Sequence, residues 1–214
     1  EHKKGNLYIE KITADDKTIQ LGNVEFELYL VGNGEIKVYI DTYYTDANGE
    51  IYIEGLNTGN YMLKETATNR WYYLADDTKI EVKWYEQYGD TKVTIENEKK
   101  KGIIKVIKTD KDFQEYALEG ITFDIYDEDN NFIETIKTNE EGIAESSRLR
   151  IDKKYYLIET NTLENYILDE NTYTIDFTEN LTKDEINDIQ TDTIYTLKLT
   201  NEHKKGKLLV HKVD

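Results

Sequence analysis

The chain contains no cysteine, no proline and a single methionine. Without cysteine there is no disulfide, no thiolate zinc site and no thiol nucleophile. No apolar run reaches the length of a membrane span, and no secretory leader is recognisable. Positive charge is also scarce: 27 Lys and Arg stand against 44 Asp and Glu, for a net charge of −17. A phosphate backbone needs a basic face, so nucleic acid is excluded as a partner, and a polybasic membrane contact with it. Such acidity keeps a secreted protein soluble through self-repulsion. The hydrophobic share is 38%, enough for small sandwiches that bury one face of each strand, and 18 tyrosines add rings that pack while their hydroxyls stay wet.

What the sequence does have is an internal repeat. Gly5-Asn-Leu-Tyr-Ile-Glu-Lys11 returns as Gly102-Ile-Ile-Lys-Val-Ile-Lys108 and as Gly206-Lys-Leu-Leu-Val-His-Lys212. Leu21–Tyr29 aligns with Leu118–Tyr126, Thr45–Gly49 with Thr138–Gly142, Tyr61–Thr66 with Tyr155–Thr160, and Val93–Glu98 with Leu197–Glu202. Self-similarity at this period marks tandem modules. The boundaries fall at 1–100 for the first module and 101–203 for the second, with 204–214 as the first strand of a third. The joints are the strings Glu98-Lys-Lys-Lys-Gly102 and Glu202-His-Lys-Lys-Gly206, which lack a Pro-rich or Gly/Ser-rich spacer and read as solvated basic turns. A chain that starts at Glu1 and stops inside a strand-like run reads as a fragment of a longer protein whose anchoring signals lie outside it.

Alternating polarity predicts strands over 24–29, 51–53, 61–65, 79–84 and 91–97, and again over 121–126, 155–160, 172–177 and 193–201. Asn48-Gly49 and Glu141-Gly142 supply turns. Thr182 and Glu185 form a capping-box pattern, which predicts one short helix over 183–189. The fold class that follows is all-β, a tandem pair of antiparallel β-sandwiches.

The informative residues break the alternation. Side chains two apart on a strand share a face. Leu7 and Ile9 share theirs with Lys11, Ile104 and Val106 with Lys108, and Leu208 and Val210 with Lys212. Glu65 lies on the face of Tyr61 and Leu63, and Glu159 on that of Tyr155 and Leu157. Asn97 shares a face with Val93 and Ile95, and Asn201 with Tyr195, Leu197 and Leu199. Each module therefore aims one lysine, one glutamate and one asparagine at its core. Unpaired buried charge is costly, so the three groups are expected to meet. Two readings of that meeting stand side by side. One is a buried Lys–Glu ion pair whose spare hydrogen bond the asparagine satisfies. The other is reactive: a dry core pushes both ionisable groups toward neutrality, leaving a nucleophilic amine and a protonated carboxyl that polarises the asparagine carbonyl oxygen. The product would be an amide between Lys Nζ and Asn Cγ, with ammonia released.

At these residues the sequence resembles the B-type repeat of the collagen adhesin family, also called the SpaA-type pilin domain. These are transthyretin-like sandwiches, loosely Ig-like, of Gram-positive surface adhesins and pilins. The family's Lys-x-Asp appears as Lys108-Thr-Asp110 and Lys212-Val-Asp214, whereas Lys11-Ile-Thr13 lacks the aspartate. Its Leu-x-Gly-x-x-Phe segment appears as Leu118–Ile125, and as Leu21–Leu28 with Gly22 shifted by one. Its Gly-x-Tyr-x-Leu-x-Glu appears as Gly59–Glu65, and as Lys153–Glu159 without the glycine. The proline and glycine that often follow the family's glutamate are absent from both copies. The resemblance implies an isopeptide crosslink from Lys11 to Asn97 with Glu65 as catalyst, and from Lys108 to Asn201 with Glu159. It implies that Lys212 stays unbonded in this chain, and that the protein is no enzyme beyond that single intramolecular turnover. It further implies a stalk or spacer at the bacterial cell surface or cell wall, with neighbouring modules of the same chain as partners. A host extracellular-matrix protein, engaged through another region, is a further candidate partner.

The rival reading is a ligand-binding adhesin module built on the aromatic runs Arg70–Tyr73 and Lys83–Tyr88, although rings of this kind commonly cover core edges. No cofactor and no metal site is expected. Asp127–Asn131 resembles a calcium loop but lacks its glycine and closing glutamate, so a hairpin turn is the simpler reading. Asn180-Leu-Thr182 has the pattern of a glycosylation acceptor, of little meaning if the source is bacterial, as the resemblance implies. The histidines, His2, His203 and His211, lie in or beside the joints, and no nucleophile–base pair recurs to suggest an external substrate.

Overall fold

A computed structural model describes residues 3–32 and 37–211. The chain divides into two compact units, 1–100 with 181–191, and 101–180 with 192–214.

The first unit contains β1 (Lys4–Thr13), β2 (Glu25–Val31), β3 (Lys37–Tyr44), β4 (Glu50–Asn57), β5 (Gly59–Ala67), β6 (Thr78–Val82), the single-turn helix α1 (Tyr85–Tyr88) and β7 (Thr91–Asn97). Its strands form two sheets, ordered β4-β1-β7 and β3-β2-β5-β6. The alternation in the sequence becomes alternation in burial. Leu7 and Ile9 from β1, Ile51 and Ile53 from β4 and Ile95 from β7 pack against Phe26, Leu28, Leu63, Ile80 and Val82 of the other sheet. Each such side chain removed from water contributes about 1.5–3 kcal/mol before ordering costs are counted.

The second unit repeats the plan with β8 (Lys101–Asp110), β9 (Thr122–Asp127), β10 (Phe132–Lys137), β11 (Ile143–Glu145), β12 (Leu149–Arg150), β13 (Lys154–Asn161), β14 (Thr172–Asp176) and β15 (Thr193–Asn201). One sheet is ordered β10-β9-β13-β14, and in the other β8 pairs with β11, β12 and β15. The counterpart of β4 is split into β11 and β12. Between them Ser146 bonds the Ile104 backbone at both ends, its Oγ accepting from the amide and its own amide donating to the carbonyl, each at 2.9 Å.

Most pairs are antiparallel, but the first and last strands of each unit pair in parallel, β1 with β7 and β8 with β15. Antiparallel partners can be joined by a tight hairpin, whereas parallel partners need a long crossover, here the rest of the module. This pairing aligns the two ends of a module in one register. Lys11 lies opposite Ile95 and Thr13 opposite Asn97; Lys108 lies opposite Leu199 and Asp110 opposite Asn201.

Helix α2 (Lys183–Asp188) has the expected capping box: Thr182 accepts from the Glu185 amide, and the Glu185 side chain accepts from the Thr182 amide. The segment that carries it belongs in space to the first unit. There it corrects the reading of the Glu98–Gly102 joint as a solvated turn. Lys100 is 1% exposed, and its Nζ donates to the carbonyls of Ile186 at 2.6 Å and Asn187 at 3.0 Å. A helix end leaves carbonyls unpaired and carries partial negative charge, which a lysine can satisfy. The run Asp127–Asn131 closes the β9–β10 hairpin, with the Asp127 amide donating to the Asn131 carbonyl at 2.9 Å. Residues 206–211 take no regular structure, and Leu208 is 90% exposed; a single strand has no neighbour to complete its hydrogen bonds. Lys212 lies outside the described residues.

Two turn glycines hold the lysine-bearing strands in place. Gly49 and Gly142 have φ of 74° and 71°, and a Cβ there would stand 2.5 Å from the Lys11 carbonyl oxygen and 2.4 Å from that of Lys108. Gly49→Ala and Gly142→Ala should each cost about 1–3 kcal/mol through left-handed strain and overlap. Calorimetry should show this as a lower melting temperature for the affected unit; an unchanged transition would refute it.

Burial pushes the Lys100 amine from 10.5 down to about 8, against a smaller opposing pull from Asp188. Between those values the unfolded chain holds a proton that the folded chain has released, so stability should rise as pH rises through that window. Denaturant melts at pH 8 and pH 10 should show this rise in the unsubstituted chain and a smaller one in Lys100→Met. Equal pH dependence in the two would contradict the assignment.

Candidate functional site

Each unit encloses one cluster of buried polar side chains between its sheets. In the first unit Lys11 is 0%, Glu65 3% and Asn97 1% exposed; in the second Lys108 is 0%, Glu159 2% and Asn201 2%. Lysine and asparagine come from the paired first and last strands of one sheet. The glutamate reaches across from the other sheet, where Glu65 lies opposite Phe26 in the β2–β5 ladder and Glu159 opposite Phe123 in the β9–β13 ladder. Those two phenylalanines floor the clusters, with Lys11 Nζ 5.9 Å from the Phe26 ring centre and Lys108 Nζ 5.6 Å from that of Phe123.

The carboxylate spans the other two groups. Glu65 Oε2 lies 3.1 Å from Lys11 Nζ, while Oε1 accepts from Asn97 Nδ2 at 2.5 Å. In the second unit the corresponding distances are 2.6 Å and 2.6 Å. Neither Oε2 has a further hydrogen-bond donor. Lys11 Nζ also donates to Asn97 Oδ1 at 2.5 Å, the oxygen bonded to Cγ. In the second unit Lys108 Nζ donates instead to the Thr200 carbonyl at 3.3 Å, and Asn201 Oδ1 has no partner. Burial lowers the Lys11 pKa from its ordinary value, and the attraction of Glu65 opposes that shift without cancelling it. The geometry departs from the sequence-based expectation in one contact. The glutamate was expected at the asparagine carbonyl oxygen and instead meets the amide nitrogen; in the first unit the lysine meets the oxygen.

The aspartate of Lys-x-Asp serves another purpose. Asp110 accepts from the Asp112 and Phe113 amides at 2.7 and 2.9 Å and from the Tyr166 hydroxyl at 2.7 Å, and pairs with His203 Nε2 at 2.8 Å. The Tyr166 hydrogen bond holds its carboxyl below the usual range. It thus closes the turn after β8. Thr13 closes the matching turn after β1, accepting from the Asp16 amide at 3.0 Å and donating to its carbonyl at 2.7 Å. The Thr13 replacement therefore leaves the first cluster intact.

Two site residues escaped the sequence reading. Asn97 Nδ2 also donates to Thr68 Oγ1 at 3.1 Å, and Asn201 Nδ2 to Thr162 Oγ1 at 2.7 Å. The signal was present: Glu65-Thr-Ala-Thr68 and Glu159-Thr-Asn-Thr162 place a threonine three residues after each glutamate. Of the aromatic runs, Tyr72 is buried and Trp71 packs on the core, whereas Tyr85 and Tyr88 of α1 are 48% and 61% exposed.

The SpaA family model, described as a prealbumin-like fold domain, matches residues 5–99 and again 102–192. The chain belongs to this family, as two tandem copies of its domain. A comparison with curated proteins finds no match. Among solved structures the chain is similar to the Bacillus anthracis TIE protein, at 24% identity and a TM-score of 0.67 over 94% of this chain and 34% of that one. A streptococcal ancillary pilin matches at 21% identity and a TM-score of 0.41, over 94% of this chain and 63% of that one. The shaft pilin SpaA of Lactobacillus rhamnosus GG matches at 15% identity and a TM-score of 0.38, over 97% of this chain and 100% of that one. The chain thus spans about a third of the TIE protein and less than two thirds of the ancillary pilin.

Proposed function

We propose that this chain is a stretch of stalk from a bacterial surface adhesin or pilin, and that each module is locked by an autocatalytic Lys–Asn isopeptide bond. The observation that carries the reading is the twice-built carboxylate bridge, one oxygen on the amine and the other on the amide nitrogen. A plain ion pair could satisfy its second oxygen with any donor, whereas both modules place an asparagine amide there.

The chemistry balances within the cluster. Lys11 Nζ passes one ammonium proton to Glu65 Oε2, which leaves a neutral amine and a neutral carboxyl, and the amine attacks Asn97 Cγ. As the Nζ–Cγ bond forms, the carboxyl gives its proton to Nδ2 and takes a second one from Nζ; the Cγ–Nδ2 bond breaks and ammonia leaves. The ion pair and the amide thus become an isopeptide, ammonia and a neutral carboxyl, with the glutamate acting as general acid–base for one turnover. Lys108, Glu159 and Asn201 take the same roles. Enclosure favours the neutral amine and keeps water away from the acyl carbon.

The parallel pairing gives the bond its mechanical meaning. A chain under tension enters β1 at Lys4 and leaves β7 at Asn97. A bond from Lys11 to Asn97 takes residues 12–96 off the load path. Closing a loop of roughly 90 residues also stabilises by about 4–5 kcal/mol on the chain-entropy estimate used for disulfides, and an amide resists reduction. This fits an extracellular stalk joined to neighbouring modules of the same chain. Contact with a host matrix protein, if the parent makes it, falls to another region. Among the described residues no helix is long and apolar enough to cross a membrane.

The intact mass should be lower than the sequence mass by two ammonia molecules, one per module. Glu65→Ala and Glu159→Ala should each fold yet retain one of those ammonias. A mass equal to the plain sequence would refute the bonds, and full loss in the glutamate variants would refute the catalytic role.

A further inference from the structure

Both amide hydrogens of the reacting asparagine are held. One goes to the glutamate and the other to a threonine hydroxyl, Thr68 in the first unit and Thr162 in the second. We infer that Thr68 and Thr162 are positioning residues for crosslinking, which hold the leaving nitrogen beside its proton donor while the lysine attacks. The inference rests on the isopeptide reading above.

Three observations support it. The first is recurrence: the units differ at Thr13 against Asp110 and at Ala67 against Asn161, yet both keep a threonine three residues after the glutamate. The second is the lack of a hold on the amide's other end: Asn201 Oδ1 has no hydrogen-bond partner, and Lys108 Nζ donates to the Thr200 carbonyl instead. In the second unit the glutamate and threonine are thus the two groups that fix the plane of the amide. Rotation about the Cβ–Cγ bond would swing Nδ2 away from Oε1 and present a different face of Cγ to the lysine. The third is location. Thr68 and Thr162 are half-buried, whereas the asparagines beneath them are 1% and 2% exposed. Thr68 also lines an open cleft with Ala67, Asn69 and Tyr72. The hydroxyl therefore stands between the sealed cluster and the surface, on the side of the leaving nitrogen. Once the Cγ–Nδ2 bond breaks, it can accept a hydrogen bond from the departing ammonia.

A hydroxyl that orients the reactive amide differs from one that merely fills space, because valine matches threonine in shape and lacks the acceptor. The full chain, with Thr68→Val or Thr68→Ser, would be made by cell-free synthesis and translation stopped. Intact mass would follow ammonia loss with time, with the second module as internal reference. Fluorescence of Trp71 and Trp84, both in the first unit, would follow its folding in the same samples. The expected result is crosslinking of the first module slowed at least tenfold in Thr68→Val, restored to within about threefold by Thr68→Ser, with folding rate unchanged in both. Thr162→Val should slow the second module alone. Crosslinking in Thr68→Val within twofold of the unsubstituted rate would overturn the inference while leaving the isopeptide reading intact. So would slowing in proportion to slower folding. An unsubstituted chain that loses no ammonia would overturn both.

Discussion

Everything in each module turns on an ammonium and a carboxylate enclosed together between two sheets. Such a pair is costly to bury, and its mutual attraction recovers that cost only when the geometry is close and the remaining polar atoms are satisfied. Here the geometry is close, but the satisfaction is incomplete. The outer oxygen of each glutamate has no donor beyond the lysine, and the asparagine oxygen of the second unit has none. A cluster built only for stability would gain from replacement by packed apolar side chains. One that turns an ion pair and an amide into a neutral amide removes its own electrostatic cost. Under the proposed crosslinking, the cost of burying the charged precursor is what favours the product.

The surrounding fold serves that cluster. Parallel pairing of the first and last strands brings lysine and asparagine onto one face, two registers apart. The opposite sheet presents the glutamate across a gap that Phe26 or Phe123 helps to close. Gly49 and Gly142 let a turn approach the lysine backbone closely, and the lysine amide donates to that same glycine's carbonyl at 2.8 Å in both units. The turn after the first strand is satisfied independently, by Thr13 in one copy and by Asp110 with Tyr166 and His203 in the other. That independence explains how the two copies diverge at the turn and retain the cluster.

Much of this was legible in the sequence because a strand has a period of two. Lys11, Glu65 and Asn97 stood out as charged or amide residues in register with Ile9, Leu63 and Ile95, and burial follows that alternation. The repeat made the argument twice over. Period alone does not give strand direction, so the parallel β1–β7 pair inside a mostly antiparallel sandwich was out of reach. Nor could it show that the segment carrying α2 joins the first unit, where it covers Lys100 in a run of lysines that read as solvent-facing. Thr68 and Thr162 lie just beyond their strands' alternation, where side-chain direction follows the loop, and only their matched offset from the glutamates marked them. Short strands such as β11 and β12 fell below what alternation can register.

The most direct test of the account is to locate the bonds themselves. A protease digest of the intact chain, read by tandem mass spectrometry, should contain two branched peptides, one joining Lys11 to Asn97 and the other Lys108 to Asn201, each lacking one ammonia. Linear peptides with a free Lys11 amine and an intact Asn97 amide, and the same for Lys108 and Asn201, would contradict it.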